Sequence, residues 1–536
     1  MLKEEVLKEI IKTKIENQEQ LNIFKRQISK KYKIRVLSNF ELFALYQKLL
    51  KEKRIQKSEK LENLLKTRPI RSLSGIVNVA VLTKPYGCGG RCIFCPIEPG
   101  MPKSYLSGEP AADRAKLLQF NPFLQTKKRI EMLKQEGHET DKVELRVVGG
   151  SFTFYPKEYQ AWFIKECFRG ANEKKDKIKK EEKNLEKILF ELKKEQKKNE
   201  NAKNRLVGIS IETRPNFINE EEIMWLRKLG VTLVEMGVQS VFNDILKKNE
   251  TDLTDEIIER ATKLLKDSGF KVLYHLMPNL YGSNPNLDVE CFKIVFSDER
   301  FKPDWIKIYP VMVMEKTKLY QLWKEGNYKT YSTEELLELL IKVLTIVPRW
   351  VRITRIIRDI PATKISAGTK RSDLRRVVEE TMKKRGIDCV CIRCREVRKN
   401  YDPNERLYLF RQNYEASGGK EIFLTFENKE RTKLFSYLRL RIPSQIFEGK
   451  KHFIAALNNS AIIREIQTFG EMVPILEKKL APQHRGLGKR LIKEAEKITK
   501  NEFNLSKIAS ISGVGVRNFW RKLGYKLKDT YMVKKI

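Results

Sequence analysis

Six short apolar runs alternate with helical patterns through the first two thirds of the chain. The runs occupy residues 76–82, 143–148, 206–211, 231–238, 271–276 and 305–313. Each run is nearly continuous rather than alternating, which is typical of strands covered on both faces. Six such strands separated by helical spacers predict an α/β fold, a partial (βα)6 barrel of the TIM-like kind over residues 70–345.

Two charged segments precede and interrupt this pattern. Residues 1–69 carry apolar positions at helical spacing among lysines and glutamates, which predicts a basic helical N-terminal region. Its basic runs fit either a solvated face or an arm that binds tRNA. Residues 171–204 are rich in Lys, Glu and Asn and carry a thin apolar stripe at Leu185, Ile188, Leu189 and Leu192. This composition predicts a charged helical insertion on the surface of the barrel.

The pattern changes again near residue 406. Runs 421–426 and 433–440 predict paired antiparallel strands, and a strand at 461–468, a helix from about Gly486 and a strand at 508–510 follow. We therefore predict a separate α+β domain over 401–536. Residues 346–400 would form a linker between this domain and the barrel.

The charge of the chain indicates the class of its partner. Its 536 residues, too many for one core, include 107 Lys and Arg against 69 Asp and Glu, a net charge of +38. A field of this size favours nucleic acid. A surface rich in both Lys and Glu, as in thermophiles, would not explain the imbalance.

The same composition bears on location. No run of 18 apolar residues occurs and the first residues lack the apolar core of a signal peptide, so neither a membrane span nor secretion is expected. Six of the eight cysteines lie in two tight clusters, which favours metal ligation in a reducing cytoplasm over disulfides.

Cys88, Cys92 and Cys95 form the pattern Cys-x3-Cys-x2-Cys directly after the first predicted strand. Three thiolates can hold three irons of a four-iron cluster and leave the fourth iron open to chelate S-adenosylmethionine. The alternative is a zinc knuckle, but no fourth Cys or His lies nearby, and structural zinc sites usually have four ligands. The sequence therefore predicts a radical S-adenosylmethionine site at the carboxyl ends of the strands.

Polar residues follow the other predicted strands at the same end of the barrel. Each alone could be a satisfied buried group, but together they favour a cavity that holds a ligand. They are Gly149 and Gly150, Glu212 and Arg214, Glu235 and Gln239, His275, and Lys307 and Tyr309. The glycines would let backbone approach the methionyl amino group.

Cys389, Cys391 and Cys394 form a second cluster with the pattern Cys-x-Cys-x2-Cys. Three thiolates this close predict one metal ion, most simply structural zinc. The fourth ligand stays open among Cys291, Cys167, an acid and a His.

A glycine-rich loop opens the predicted helix near residue 486. The run from Gln483 to Arg490 contains Gly486, Leu487, Gly488 and Lys489. Glycines at a helix start present N–H groups and the positive end of the dipole to a pyrophosphate. With the strand before it and the run 519–525 after it, this loop is similar to the acetyl-CoA loop of GNAT acetyltransferases.

These features together resemble one family, the catalytic subunit of Elongator, a tRNA uridine acetyltransferase, in its archaeal form. The resemblance extends from about Thr67 to the C-terminus. It rests on residues 67–69, 84–85, 121–122, 141–144, 149–152, 211–215, 235–240, 307–310, 358–361 and 511–515, besides the cysteine and glycine motifs.

The resemblance implies that a carboxymethyl group is placed on C5 of the tRNA wobble uridine. A radical derived from S-adenosylmethionine would take a hydrogen from the acetyl methyl group of acetyl-CoA, and the carbon radical would add to uridine. Cys88, Cys92, Cys95, Lys142, His275 and Tyr309 are the expected catalytic residues. By the family pattern, Lys142 contacts acetyl-CoA together with Glu465, Ile466, Gln467, Thr468, Leu487, Gly488 and Lys489.

One position departs from the family pattern. Phe519 and Trp520 stand where many members carry two tyrosines, so a phenol that could protonate a CoA thiolate is missing there. Phe519 can still pack on CoA, and Tyr525 and Tyr531 remain as hydroxyl donors. The alternative function is a protein lysine acetyltransferase with a merely structural barrel. A homodimer and a stand-alone monomer are both compatible with the sequence.

Overall fold

The N-terminal helices pack around an apolar core of their own. The computed structural model describes residues 2–67, 69–173, 178–398, 401–402, 404–470 and 485–536. The helices are α1 (Leu2–Lys12), α2 (Gln18–Lys31), α3 (Asn39–Lys51) and α4 (Glu59–Leu65). Leu7, Leu42 and Tyr46 are fully buried between them. Ser38 and Glu41 close a capping box that fixes the start of α3.

Seven parallel strands form the barrel sheet, in the order β1 to β7. They are β1 (Val77–Leu82), β2 (Lys142–Val148), β3 (Arg205–Thr213), β4 (Leu233–Gln239), β5 (Lys271–Leu276), β6 (Trp305–Ile308) and β7 (Arg352–Ile356). The predicted partial barrel is confirmed with one strand more than expected. β7 lies in the segment 346–400 assigned to a linker. As the edge strand it mixes Arg352, Thr354 and Arg355 with isoleucines, so it forms no continuous apolar run.

Helices connect these strands and cover the outside of the sheet. They are α5 (Pro110–Leu117), α6 (Pro122–Gln135), α7 (Lys157–Asn172), α8 (Leu185–Asn199), α9 (Glu220–Leu229), α10 (Asn243–Lys248), α11 (Asp255–Asp267), α12 (Pro285–Ser297), α13 (Lys318–Lys324), α14 (Thr333–Ile346), α15 (Leu374–Lys384) and α16 (Ile392–Arg395). The charged insertion contributes α8, which buries Ile188 and Leu192 and leaves Phe190 61% exposed. Among the described residues, no helix has the length and apolar character needed to cross a membrane.

A second seven-stranded sheet forms the C-terminal domain, in the order β13-β14-β12-β11-β10-β9-β8. Its strands are β8 (Tyr408–Ala416), β9 (Gly419–Glu427), β10 (Leu434–Ile442), β11 (Ala461–Thr468), β12 (Lys507–Ser510), β13 (Lys526–Lys528) and β14 (Tyr531–Lys535). Its helices are α17 (Ser444–Phe447), α18 (Leu487–Phe503) and α19 (Arg517–Arg521). The α+β character is as predicted, but β8, β13 and β14 were not foreseen.

The two central strands of this sheet separate at one end. β11 pairs with β12 in parallel only from Ala461 to Ile463, whereas it stays paired with β10 as far as Thr468. The last residues of β11 therefore present a backbone edge to the space beside β12. This opening faces the barrel.

Buried ion pairs join the C-terminal sheet to the barrel. Arg464 of β11 donates from Nη1 to Asp304 Oδ2 over 2.8 Å, and Asp304 directly precedes β6. Arg441 of β10 lies with Nη2 2.6 Å from Asp267 Oδ1 at the end of α11. All four side chains are fully buried. Removing one member of such a pair typically costs about 3–5 kcal/mol, so these contacts fix the two domains to each other.

Candidate functional site

The loop after β1 carries the first three cysteines to the carboxyl ends of the barrel strands. Gly89 (φ +67°) and Gly90 let this loop lie against its neighbours. A Cβ on Gly89 would come within 2.7 Å of Phe217 Cζ, and one on Gly90 within 2.3 Å of Arg214 Nη1. A larger side chain would clash with the Phe217 ring at Gly89 and with the Arg214 guanidinium at Gly90, so either the loop or the neighbouring side chain would have to move.

The sulfur atoms have the surroundings that an iron–sulfur cluster needs. Arg214 Nη1 lies 3.6 Å and Gln239 Nε2 lies 3.8 Å from Cys92 Sγ. Hydrogen bonds to cluster sulfurs tune the redox potential of such centres. Among the residues that the structure describes, the buried Oε1 atom of Gln239 has no hydrogen-bond partner, which leaves an acceptor for a bound ligand. Burial raises the pKa of the Cys95 thiol to about 12, so a metal must displace its proton.

The end of β2 lies directly beside the cysteine loop. Gly149 has a φ of +129°, and a Cβ there would lie 2.1 Å from Thr83 Oγ1. At Gly150 (φ +87°) a Cβ would lie 3.7 Å from Cys88 Cβ. Glu212 accepts a hydrogen bond at Oε2 from Tyr105 over 2.8 Å and lies 3.5 Å from the Gly149 nitrogen. The predicted glycine pair and carboxylate thus meet at the cysteines.

Charged side chains fill the barrel interior next to the cysteine loop. Lys307 forms an ion pair with Glu235 and lies 3.6 Å from Glu212 Oε1. His275 Nε2 lies 3.1 Å from Glu235 Oε2, and its ring packs edge-on against Tyr309 at 5.4 Å between centroids. The structure therefore brings together the predicted residues at the exits of β3 to β6.

The pKa values of this group follow from its ion pairs. Burial opposes ionisation of Glu235, but Lys307 and His275 outweigh it and hold the carboxyl pKa below its usual range. Burial also opposes the Lys307 ammonium, yet Glu235 holds the Lys307 pKa above its usual range. Burial and the charge of Lys307 lower the pKa of His275, which is therefore neutral at pH 7.

Three further charged residues extend this group toward the amino ends of the strands, and sequence reasoning missed them. Arg146 Nη2 lies 2.9 Å from Glu144 Oε1, and Lys271 Nζ lies 3.9 Å from Glu144 Oε2. Lys271 also lies 3.5 Å from Glu465 Oε1 in β11. The signal was present in β2, because Glu144 and Arg146 alternate with apolar residues as on a strand with one polar face.

A cavity of about 570 Å³ lies between the amino ends of the barrel strands and the open edge of β11. Most residues that the sequence assigned to acetyl-CoA line it. They are Lys142, Glu465, Ile466, Gln467, Thr468, Gly486, Gly488, Lys489 and Phe519. Leu487 is instead buried in the core, and Gln483 lies outside the described residues. The cavity is also lined by residues that the sequence analysis did not assign to it. They are Ser74–Ile76, Gly208 and Lys271 from the barrel, and Ser512 and Trp520 from the C-terminal domain.

The cavity and the cysteine loop lie at opposite ends of one barrel. Lys142 and Lys271, which line the cavity, are the first residues of β2 and β5, whereas Gly149 follows the last residue of β2. The seven residues of β2 span about 20 Å at roughly 3.3 Å per residue. Glu144, Arg146, Glu235, Lys307 and Glu212 occupy the interval, and we call these five residues the charged row.

The second cysteine cluster lies beside β7. Within the part of the chain that the structure describes, the ligand atoms of Cys389, Cys391 and Cys394 all lie within 4.8 Å of one another, as a single ion requires. The two cysteines that the sequence left open as a fourth ligand lie elsewhere. Cys291 is beside Ser240, and Cys167 is beside the Pro122 carbonyl. Neither can be the fourth ligand.

Comparisons with known proteins agree with this architecture. Residues 82–287 match the family model of the radical SAM superfamily, and residues 303–384 match that of its C-terminal domain. Membership of this superfamily implies S-adenosylmethionine and a four-iron cluster, which the residues around Cys92 fit.

Relatives and a solved structure match over most of the chain. The tRNA uridine(34) acetyltransferase of Methanocaldococcus infernus is 44% identical over 88% of each chain. Human Elongator complex protein 3 is 38% identical over 88% of this chain and 86% of its own. The structure of Methanocaldococcus infernus Elp3 with an N-terminal deletion superimposes with a TM-score of 0.74 at 41% identity, covering 87% of this chain and all of that chain. The chain therefore belongs to the family of tRNA uridine(34) acetyltransferases and Elongator complex protein 3, a branch of the radical SAM superfamily.

Proposed function

We propose that this protein is a tRNA uridine(34) acetyltransferase that builds a carboxymethyl group on C5 of the wobble uridine from acetyl-CoA. The observation that carries the proposal is the position of the two sites. One barrel has the cysteine loop at its carboxyl end and the cavity at its amino end, with the charged row between them. An acetyl group held in the cavity and a radical formed at the cysteines would face the same interior.

At the carboxyl end, Cys88, Cys92 and Cys95 would hold the four-iron cluster. When bound, the cluster supplies an electron to S-adenosylmethionine and so generates a radical able to take a hydrogen atom from the acetyl methyl group. Arg214 and Gln239 would orient Cys92 through the contacts described above. The backbone at Gly149 and Gly150, with Glu212, would receive the methionyl amino group.

At the amino end, the start of α18 supports acetyl-CoA binding. α18 has 17 residues and begins after Gly486, whose φ of +71° turns the chain, and Gly486 and Gly488 at this helix start line the cavity. Lys489 adds a positive charge beside them. Beyond Ile463, where its pairing with β12 ends, the backbone of β11 at Glu465 and Ile466 could hydrogen-bond the pantetheine arm.

The thioester end of acetyl-CoA would then enter the barrel near Lys142. Burial lowers the pKa of Lys142, whose side chain lines the cavity where a carbonyl oxygen or an anionic product would lie. Gly208 and Glu144 both line the cavity, and a Cβ at Gly208 would lie in ordinary contact with Glu144 Cγ, at 3.7 Å. The cavity therefore reaches the charged row at Glu144.

The tRNA would reach the carboxyl end of the barrel. The net charge of +38 supports a polyanionic partner, and Lys84 and Arg91 flank the cysteine loop with side chains 41% and 81% exposed. The basic helices of residues 1–69 would bind the tRNA body. We propose that the protein is cytoplasmic, where its cysteines, which form no disulfide in the part of the chain that the structure describes, stay reduced and able to bind metal.

A structural zinc ion at Cys389, Cys391 and Cys394 is part of the proposal. The cluster lies where β7 meets the C-terminal domain, since the Ile392 nitrogen donates to the Val351 carbonyl over 2.9 Å and the Val397 nitrogen donates to the Leu434 carbonyl of β10 over 2.9 Å. We expect one zinc per chain by mass spectrometry of the metals, and its loss in Cys391→Ser. Iron alone, or no metal at these residues, would contradict this part.

Anaerobic reconstitution tests the function directly. Purified protein, iron, sulfide, reductant, S-adenosylmethionine, acetyl-CoA and tRNA should yield 5-carboxymethyluridine, detected by mass spectrometry of digested tRNA. Omission of acetyl-CoA should abolish it. A confirmed cluster without this product, together with acetylation of lysine in a basic peptide, would show instead a protein lysine acetyltransferase.

A further inference from the structure

A stack of aromatic rings ends at the surface beside the cysteine loop. Tyr159 and Tyr155 are buried and stack at 4.9 Å between centroids with 24° between planes. Tyr155 stacks in turn on Tyr86 at 4.8 Å and 26°. Tyr86 is 43% exposed, so part of this ring meets solvent. Tyr86 precedes Cys88 by two residues.

The inner rings of the stack are held in place by hydrogen bonds. The Tyr155 hydroxyl donates to the Lys84 carbonyl over 2.7 Å, and the Tyr159 hydroxyl accepts from the Lys84 nitrogen over 3.0 Å. These bonds fix the backbone two positions before Tyr86, and the Tyr86 ring itself packs on the buried Tyr155 ring. A rigid exposed ring costs little conformational entropy when it binds a flat ligand.

A second exposed ring completes the surface. Phe154 is 40% exposed and lies 6.0 Å from Tyr86 at 53° between planes. Its other side meets the cysteine loop, since a Cβ on Gly87 would lie 3.0 Å from Phe154 Cε1. Two exposed aromatic rings therefore border the loop that carries the cluster ligands. We call Tyr86 and Phe154 the ring pair.

We propose that the ring pair is a stacking platform for an unpaired base of the tRNA anticodon loop, next to the base that reacts. Single-stranded RNA is recognised by stacking of splayed bases on aromatic rings. A base on the outer face of Tyr86 would continue the stack of Tyr86, Tyr155 and Tyr159. This inference rests on the proposed function, because it takes the RNA to lie at the cysteine end of the barrel.

The test uses the reconstituted full chain and an anticodon stem-loop RNA with 2-aminopurine beside the wobble uridine. Stacking on an aromatic ring quenches this base. The parent protein should quench the fluorescence, and Tyr86→Leu should abolish the quench and weaken RNA binding roughly tenfold. Tyr86→Phe, which keeps the ring, should retain both properties.

Two controls separate the platform from general effects. Phe190→Ala, which removes an exposed ring on α8, should bind and quench as the parent does. Iron content should be unchanged in Tyr86→Leu, because leucine retains apolar contact with Tyr155. If Tyr86→Leu loses iron, the same fluorescence measurement on Phe154→Leu tests the platform instead, and we expect its quench to be smaller than that of the parent.

Several results would overturn the platform. They are an undiminished quench and affinity in Tyr86→Leu and Phe154→Leu, an equal loss in Phe190→Ala, or weaker S-adenosylmethionine binding with unchanged RNA binding. The last result would assign the ring to the adenine of S-adenosylmethionine. RNA binding and quenching need no turnover, so a platform confirmed in a protein that makes no carboxymethyluridine would refute only the proposed function.

Discussion

Lys271, the first residue of β5 in the barrel, places its Nζ 3.5 Å from Oε1 of Glu465 in the C-terminal sheet. Both residues line the cavity, and Lys271 also lies 3.9 Å from Glu144 Oε2. The pair therefore joins the wall of the proposed acetyl-CoA site to the charged row inside the barrel. No single domain contains this arrangement.

Replacement of Lys271 by Met should weaken acetyl-CoA binding roughly tenfold, measured by calorimetry. The change leaves Glu465 and Glu144 without their shared cation where the thioester would lie. In a double-mutant cycle with Glu465→Gln the two effects should couple by about 1 kcal/mol or more. Lys263→Met, which removes an exposed lysine paired with Glu448, is the control and should bind as the parent does. Strictly additive effects in the cycle would contradict the role of the pair.

Cys92→Ala should eliminate the cluster and the modified uridine while leaving tRNA affinity nearly unchanged. Cys92 is the thiol that Arg214 and Gln239 contact, and a cluster held by two cysteines is unstable. Iron analysis and RNA binding check the two parts separately. Cys291→Ala removes a buried thiol that lies beside Ser240 instead, and should keep its iron. Retention of iron in Cys92→Ala would contradict the ligand assignment.

The continuous apolar runs predicted six of the seven barrel strands but not β7 at the edge of the sheet. β7 and β8 were missed because each is an edge strand with polar residues along it, and β8 alternates exposed and half-buried positions through most of its length. Short β13 and β14 carry too few apolar residues to stand out. Motif spacing located the three cysteines and the glycine loop because their chemistry is local in sequence.

Contacts between distant segments could not be predicted. Glu465 was assigned to acetyl-CoA by resemblance, but its partner Lys271 lies 194 positions earlier, and nothing in either segment encodes how the domains dock. The separation of the two sites to opposite ends of the barrel has the same origin. The sequence predicted the cysteine site and the acetyl-CoA loop without their relative positions, and only the strand register and the cavity show that the barrel interior lies between them.

Lys307→Met should destabilise the fold by about 3–5 kcal/mol, since the buried Glu235 carboxylate would lose its ammonium partner. A lower midpoint of thermal unfolding is the readout. The double change Lys307→Met with Glu235→Gln should recover a large part of this loss, because no unpaired charge then remains. An unchanged midpoint in the single variant would show that the ion pair is not a structural element of the charged row.

His138 should make stability depend on pH between about 6.5 and about 4. Burial, with the charge of Lys66, lowers its pKa from 6.5 to about 4, so the folded protein keeps the ring neutral. Below pH 6.5 the unfolded chain takes up the proton first, and stability is lost as the pH falls. The full contribution, present above pH 6.5, is up to about 3 kcal/mol.

The unfolding midpoint of His138→Gln, compared with that of the parent across this range, isolates the effect. His138 lies with Nδ1 2.9 Å from Ser72 Oγ and Nε2 2.9 Å from the Thr67 carbonyl, and glutamine can replace the second contact without titrating. The difference between the two proteins should shrink on acidification. A constant difference from pH 7 to pH 4 would exclude His138 as the titrating group.

The central claim is that the cysteine loop and the cavity serve one reaction on one acetyl group. Its most direct test is turnover with acetyl-CoA deuterated in the methyl group, with deuterium measured in the 5′-deoxyadenosine that is released. The account predicts deuterium in 5′-deoxyadenosine, dependent on tRNA and on Lys271, together with dideuterated 5-carboxymethyluridine. Formation of 5-carboxymethyluridine with no deuterium in 5′-deoxyadenosine would contradict it.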